Sequence, residues 1–210
     1  MNRIGDLADF YSVSSHSKNP LRVRQLSEEV AAVNAALTEL DKLGASDKVF
    51  IAGNHCDRLQ RYLQDRAPEL FETVNLEELF MFDDRGWEYV PYKEYTRRGA
   101  LFLTHDCGSA GRYAVYRCLE MFNHSVVTGH THRMAYIVEG DATGKARVSA
   151  SFGWLGDVNQ VDYMQKASAR KNWALGFGVG YLNTETGVTY LAPVPIVNYS
   201  CVVEGKLYTG

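Results

Sequence analysis

The chain has 210 residues, of which 46% are hydrophobic and 22% charged, and this size and composition predict one domain spanning residues 1–210. The formal net charge of -3 and the pI near 6.1 weigh against a strongly electrostatic nucleic-acid binder, so any nucleic acid would be a substrate rather than a permanent partner. The sequence shows neither a cationic leader nor an apolar run of about 18 residues, so we expect a cytoplasmic protein without a membrane span.

The first part of the chain alternates between predicted strands and helices. Apolar residues recur at three- and four-residue steps over 21–43, which predicts a long amphipathic helix that Gly44 ends. Further helices are predicted over 57–66, near 76–82 and over 111–122. Strands are predicted over 1–4, 48–52, 87–90, 100–104 and 125–127.

Beyond residue 133 the pattern changes to strands separated by turns. These predicted strands cover 135–138, 146–152, 175–183, 188–194 and 199–203. The change from βα alternation to mostly antiparallel strands predicts an α/β fold, with two sheets packed face to face and helices outside.

The four cysteines are widely spaced along the chain and form no CxxC pair. They are Cys56, Cys107, Cys118 and Cys201. A zinc knuckle brings its cysteines in closely spaced pairs, so this spacing argues against one. We expect reduced thiols, which are the default in a cytosolic protein.

Four short stretches place potential ligands at the ends of predicted strands. They are Gly5-Asp6-Leu7-Ala8-Asp9, Gly53-Asn54-His55, Thr104-His105-Asp106 and Gly129-His130-Thr131-His132. Each follows an apolar run of strand character, so its oxygen or imidazole donors lie where loops can converge on metal ions. Together they predict a hydrolytic metal site.

Each stretch taken singly also has an ordinary explanation. A lone Gly-His-x-His is commonly a turn with two solvated histidines. Asn54 and His55 after a glycine fit turn chemistry, and Asp6 and Asp9 are able to cap a following helix. Four coincidences in this order are less expected than one shared cause, so we favour the metal site.

This ordered set of motifs resembles the calcineurin-like metallophosphoesterases. The extension Gly-Asn-His-Cys-Asp-Arg-Leu-Gln-Arg-Tyr-Leu is similar to versions often carried by bacterial viruses, in which case the cytoplasm would be that of the host cell. The resemblance covers essentially the whole chain. It implies a four-layer α/β/β/α sandwich with two metals at the sheet edges.

The resemblance implies a ligand role for five residues. Asp6 would bridge two cations. Asn54, His105 and His130 would complete the ligands of one ion, and His132 would bind its neighbour. These donors suit borderline divalent ions, Mn²⁺ first and Fe²⁺, Zn²⁺ or Ni²⁺ as alternatives. If His130-Thr131-His132 is extended, alternation points both imidazoles the same way, and one turn would serve both metals.

Three further residues receive roles around the metals. The resemblance implies that His55 stabilises or protonates the leaving alkoxide, a task suited to imidazole near neutral pH. Asp9 would orient that imidazole, or alternatively would only fix the loop. Arg58 is the candidate substrate-binding residue through phosphate contact, although for Arg58 and Arg133 a solvated surface position is the favoured interpretation.

The chain departs from the family pattern in one motif. Family members carry an Asp-x-His on a strand before the Gly-Asp motif, where it completes the coordination of the ion that His132 touches, and this chain has no Asp-x-His. A shortened product, a split gene and a protein that uses a single ion are the three explanations. A missing strand would leave neighbouring backbone groups unpaired, so we expect a partner chain or a homo-oligomer to cover them.

The expected function is hydrolysis of phosphomonoesters or phosphodiesters by a metal-activated water, with a phosphoester, nucleotide or nucleic acid as substrate. One alternative is a Mn²⁺-dependent DNA nuclease, which the mildly acidic charge weakens. The other is a one-metal or inactive metal-binding module, which the absent Asp-x-His favours. Aromatic residues of the last third, such as Trp154 and Trp173, are predicted to pack the second sheet, with a minority stacking on a nucleobase.

Overall fold

The computed structural model of the protein describes residues 1–161 and 172–210. These residues form two compact units, Met1–Glu94 and Tyr95–Gly210, and each unit has an apolar cluster of its own. Several sheets and helices are present, which confirms the expected α/β class. The single domain and the four-layer sandwich stay predictions.

The first unit, all of whose residues are described, is built on a parallel sheet. Its strands β1–β3 are Asn2–Ile4, Lys48–Ile51 and Trp87–Val90, and its helices α1–α4 are Leu26–Asp41, Arg58–Arg66, Leu76–Leu79 and Phe82–Arg85. The strand order is β1-β2-β3, with Ile4, Ile51 and Val90 in register at the strand ends. Because parallel strands end at one edge, the loops after β1 and β2 emerge side by side.

The central strand β2 is buried along most of its length, as expected for a strand covered on both faces. Val49, Phe50 and Ile51 are fully buried. The ring of Phe50 packs on that of Phe82, with 4.8 Å between centroids, and Phe82 packs in turn on Tyr89 at 5.5 Å. This aromatic core supports the strand end that carries Gly53.

Two helix predictions of the first unit differ from the structure by more than one residue. α1 begins at Leu26 rather than at residue 21, because Gln25 and Glu28 form a reciprocal capping box that fixes the N-terminus. Leu21 continues the apolar spacing but is 94% exposed. The helix expected near 76–82 is split into α3 and α4, because Met81 takes a left-handed conformation with a φ of 53°.

The second unit contains a mixed sheet and two antiparallel hairpins in its described residues. Its strands β4–β12 are Tyr95–Arg98, Leu101–Thr104, Val126–Thr128, Met134–Gly140, Ala146–Phe152, Gly176–Leu182, Thr189–Pro195, Ser200–Val203 and Lys206–Thr209, and α5 is Ala114–Phe122. The mixed sheet has the order β4-β5-β6-β8-β7, and its three inner strands are parallel. β9 pairs with β10, and β11 with β12.

The sequence did not predict β4 or β12. β4 reads Tyr-Thr-Arg-Arg and has no apolar run to detect, as suits an edge strand that pairs with β5 alone among the described strands. β12 is exposed at every position, so it carries no apolar pattern to detect. None of the described helices is long and apolar enough to cross a membrane.

Candidate metal centre

A cluster of two histidines and one aspartate lies at the ends of β5 and β6. These strands are parallel neighbours, so the loops that follow Thr104 and Thr128 emerge together. His105, Asp106 and His130 each offer one ligand atom, and these atoms all lie within 4.8 Å of one another. The second unit therefore contains a candidate metal-binding cluster.

The backbone of His105 fastens the two loops to each other. Its carbonyl accepts hydrogen bonds from the amides of Gly129 at 2.9 Å and His130 at 3.0 Å. The hydroxyl of Thr128 donates to the same carbonyl at 2.5 Å. His105 is buried, with 2% exposure, so its imidazole is held among fixed groups rather than in solvent.

The two imidazoles are spaced as ligands of one ion would be. His105 Nε2 and His130 Nδ1 are 3.3 Å apart. Nitrogens that both coordinate an ion at about 2.0–2.1 Å stand about 3.0–3.4 Å apart across ordinary coordination angles. Two imidazoles and one carboxylate fit borderline divalent ions in general, and three protein ligands leave positions for water or substrate.

Asp106 is the member of this cluster that sequence reasoning missed. The motif resemblance gave a role to His105 alone at this strand end. The carboxylate of Asp106 accepts a hydrogen bond from the amide of Gly108 at 2.7 Å, which closes a tight turn. Its signal in the sequence was its place directly after a histidine at the end of an apolar strand.

The expectation of four reduced thiols is wrong for one pair. Cys107 and Cys118 form a disulfide with their Cα atoms 5.5 Å apart. They are eleven positions apart along the chain, so spacing rules for close pairs could not detect the bond. Cys56 and Cys201 are free. Burial, together with the charge of Asp6, raises the pKa of the Cys56 thiol to about 11.

His132 packs against two tryptophans. Residues 130–131 form a turn and His132 is left-handed, with a φ of 55°, so the extended stretch that would align both imidazoles is absent. The imidazole stacks on Trp154 at 5.1 Å and meets Trp173 edge-on at 4.5 Å. His130 instead lies beside His105, and the ligand role of His132 stays a prediction.

Backbone hydrogen bonds join three segments of the chain beside these two tryptophans. Ala174 donates to the carbonyl of His132 at 3.0 Å, and Trp154 donates to the carbonyl of Ala174 at 3.1 Å. The indole rings are 5.0 Å apart and half-buried. Gly156 packs so closely on Trp154 that a Cβ there would lie 2.3 Å from the ring. This part of the predicted aromatic core therefore packs around a motif histidine.

In the first unit, the structure brings Asp6 against the Gly53-Asn54-His55 turn. The amide of His55 donates to Asp6 Oδ1 at 2.8 Å. A Cβ on Gly53 would lie 2.0 Å from that same oxygen, so only glycine fits here. The carbonyl of Asn54 accepts from Arg61 at 3.0 Å. Asp6 and Asn54 thus lie on adjoining turns at the strand ends, and their ligand roles stay predictions.

His55 also belongs to a polar network with Asp9 and Arg58. His55 Nδ1 is 2.5 Å from Asp9 Oδ1, and Arg58 Nη1 donates to the same oxygen at 2.6 Å. Arg58 Nη2 lies 3.3 Å from His55 Nε2. This arrangement fits an imidazole that carries its proton on Nδ1 and accepts from Arg58 through Nε2.

The interpretation of Arg58 as a solvated surface side chain is wrong. Its side chain is 11% exposed, because it lies across Asp9 and His55. Burial raises the pKa of Asp9, but the hydrogen bonds and charges of His55 and Arg58 outweigh burial and hold that pKa below its ordinary value. Asp9 is therefore ionised and able to fix the imidazole, as one of the two predicted roles requires.

Arg133 is also less solvated than expected. Its Nε and Nη1 atoms are buried, with no hydrogen-bond partner among the residues that the structure describes. The surface interpretation therefore fails for most of this guanidinium as well.

Comparison with known proteins supports a bacteriophage origin for the chain. No protein-family model matches it. It is 28% identical over 225 residues to the Gene 54 protein of Mycobacterium phage D29 and 27% identical over 225 residues to the Gene 54 protein of Mycobacterium phage L5. Each comparison covers 98% of this chain and 84% of the relative. These names state no activity.

Proposed function

We propose that the protein is a metal-dependent phosphoesterase that hydrolyses phosphomonoesters or phosphodiesters. The observation that carries the proposal is the cluster of His105, Asp106 and His130, whose ligand atoms lie within 4.8 Å of one another. The motif resemblance to calcineurin-like metallophosphoesterases supports the same chemistry and the four-layer sandwich. Mn²⁺ is the ion that we propose first.

The residues of the cluster would hold the ion through two imidazole nitrogens and one carboxylate oxygen. A divalent ion held there would supply Lewis acidity, which lowers the pKa of water and stabilises charge on a phosphate oxygen. The buried His105 and its hydrogen-bonded carbonyl give the donors a fixed geometry before any ligand arrives. Such preorganisation is what a hydrolytic site requires.

The network of the first unit is suited to handling a proton and a phosphate. Asp9 faces His55 Nδ1, so Nε2 is the atom that would act on the leaving oxygen. Nε2 would first take up a proton, with Arg58 moving from it to a phosphate oxygen, and would then donate that proton to the leaving oxygen. Arg58 Nη2 lies 3.3 Å from Nε2, which places a cationic donor beside the same atom. We assign Asp9 to orientation and Arg58 to contact with a phosphate oxygen.

The first test removes one donor of the cluster. The variant His130→Ala leaves only two of the three donors in the cluster. We therefore expect it to lose its bound Mn²⁺ and, together with the metal, its turnover of bis-p-nitrophenyl phosphate and p-nitrophenyl phosphate. Metal content is measured by mass spectrometry after dialysis. His124→Ala is the matched control, since His124 is exposed and contacts the Phe122 carbonyl in the same unit. Unchanged turnover in His130→Ala would contradict the proposal.

A second candidate function is a one-metal binding module without catalysis. It is favoured by one observation: all three donors of the cluster come from two neighbouring loops of the second unit. This candidate predicts about one ion per chain, a melting temperature that rises with Mn²⁺, and no cleavage of either ester. Degradation of linear DNA in Mn²⁺ would instead identify the predicted nuclease.

A further inference from the structure

The disulfide lies directly beside the metal cluster. Cys107 follows Asp106 in the chain, and Gly108, the next residue, donates to the Asp106 carboxylate at 2.7 Å. The bond between Cys107 and Cys118 ties this loop to α5. Any change in the disulfide therefore acts on the residue next to a candidate ligand.

The cross-link joins the loop to a firmly packed helix. Four residues of α5 are buried: Ala114, Val115, Cys118 and Leu119. Because these buried side chains hold the helix in place, the disulfide restricts the motion of the loop rather than that of the helix. His105 and His130 are held differently, because the His105 carbonyl joins their loops through backbone hydrogen bonds that do not involve either cysteine.

Cys107, but not Cys118, lines a cavity. The cavity has a volume of about 470 Å³ and is lined by Cys107, Gly108, Ser109, Arg117, Glu120 and Met121. Cys107 is 8% exposed and Cys118 only 1%. A small thiol entering the cavity therefore meets Cys107 before Cys118. Arg117 and Glu120, which carry opposite charges, both line this cavity.

We propose that the Cys107–Cys118 pair is a thiol-exchange site, and that its reduction by a dithiol lowers the metal affinity of the adjacent cluster. This inference rests on the metal site of the proposed function. A dithiol thiolate attacks Cys107 Sγ, forms a mixed disulfide and releases Cys118 as a thiolate that takes up a proton. The second thiol of the reductant then displaces Cys107, which leaves as a protonated thiol, and the reductant becomes a cyclic disulfide.

Reduction affects the three ligands unequally. The loop of Asp106 loses its tether to α5 and must be ordered again when an ion binds, which costs affinity. The tie between the His105 and His130 loops remains. Loss of a group that supports a metal ligand lowers affinity by about 10–100-fold, and we expect about tenfold here because two ligands keep their support.

The experiment compares oxidised and reduced full-length protein. Protein purified without reductant and then unfolded should show two thiols, Cys56 and Cys201, and four after dithiothreitol. After removal of the dithiothreitol, Mn²⁺ affinity is measured by titration calorimetry. We expect the reduced protein and the Cys107→Ser/Cys118→Ser variant to bind Mn²⁺ about tenfold more weakly. Cys201→Ser, which keeps the disulfide, should bind like the unaltered chain.

A thermodynamic cycle tests the route through Asp106. Asp106→Asn should bind Mn²⁺ weakly in both redox states, with no further loss on reduction. Redox dependence that persists in Asp106→Asn would overturn the assigned route. Equal affinity of the two redox states, or four thiols before reduction, would overturn the inference while leaving the metal site intact. Absence of Mn²⁺ binding in every form would overturn the metal site itself.

Discussion

The two units hold their motif histidines by different physical means. In the first unit, His55 is fixed by charged partners, Asp9 and Arg58, at a place where the Asp9 side chain is half exposed. In the second unit, His105 is buried and joined to His130 through backbone hydrogen bonds. The first arrangement leaves a histidine able to exchange a proton, whereas the second fixes donors in the geometry that an ion requires.

Among the variants that distinguish proton transfer from metal binding, His55→Ala has the largest expected effect. If His55 handles a proton and does not bind an ion, its loss should lower turnover by about 10²–10⁴-fold while the Mn²⁺ content stays unchanged. Steady-state kinetics and metal analysis on the same samples check this.

Asp9→Asn tests whether the charge of Asp9 orients His55 in the same network. It removes the charge that orients His55 but keeps the shape of the side chain, so turnover should fall by about tenfold.

Loss of bound Mn²⁺ in His55→Ala would instead show that His55 is a ligand and would remove the proposed division of roles.

The next effect concerns the geometry of the first unit's turn. Gly53→Ala places a Cβ 2.0 Å from Asp6 Oδ1 and 2.7 Å from the Asp6 backbone nitrogen, so the two turns must separate. We expect the free energy of unfolding to fall by about 3 kcal/mol. Urea denaturation measures the loss.

Gly111→Ala is the matched control for that change. A Cβ on Gly111 would meet nothing within 4 Å, so stability should hardly change. Equal stability of the two variants would show that Asp6 does not lie where the structure places it.

A further expected effect is an acid sensitivity in the first unit. Asp41 receives hydrogen bonds from Lys48 at 2.7 Å, Arg85 at 2.7 Å and Trp87 at 2.8 Å. Burial raises the pKa of Asp41, but these partners outweigh burial and hold that pKa below the ordinary value of 3.8. A depressed pKa means that the ionised form stabilises the fold. That stabilisation is full above pH 3.8 and is lost as the pH falls through the lower folded-state value.

Asp41→Asn should therefore cost about 2 kcal/mol at pH 7. The difference from the unaltered chain should shrink as the pH falls below 3.8, because the unfolded chain then takes up a proton at Asp41 before the folded chain does. Urea denaturation at pH 7 and pH 3 measures both values. A constant difference between the two pH values would contradict the assignment.

The positions of the motifs were predictable because their strands are short and strongly apolar. Val49-Phe50-Ile51 and Val126-Val127 are buried runs, and each is followed within two residues by the glycine of its motif. Parallel pairing then brings the strand ends together without further information. The α/β class followed from the same alternation of strands and helices.

Other features depended on contacts between distant residues. The disulfide of Cys107 and Cys118, the membership of Asp106 in the cluster and the burial of Arg58 all require the folded arrangement. The left-handed backbone of His132 is unusual for a residue other than glycine, and local sequence gave no sign of it. The start of helix α1 was also mispredicted. The capping box of Gln25 and Glu28 sets its N-terminus, although the apolar spacing continues upstream of that box.

The most direct test of the central claim is anomalous X-ray diffraction from crystals of the protein soaked in Mn²⁺. We predict an anomalous peak about 2.0–2.3 Å from one imidazole nitrogen each of His105 and His130 and from a carboxylate oxygen of Asp106. A well-ordered structure with no peak among these three side chains, at Mn²⁺ concentrations that saturate the protein in solution, would contradict the account.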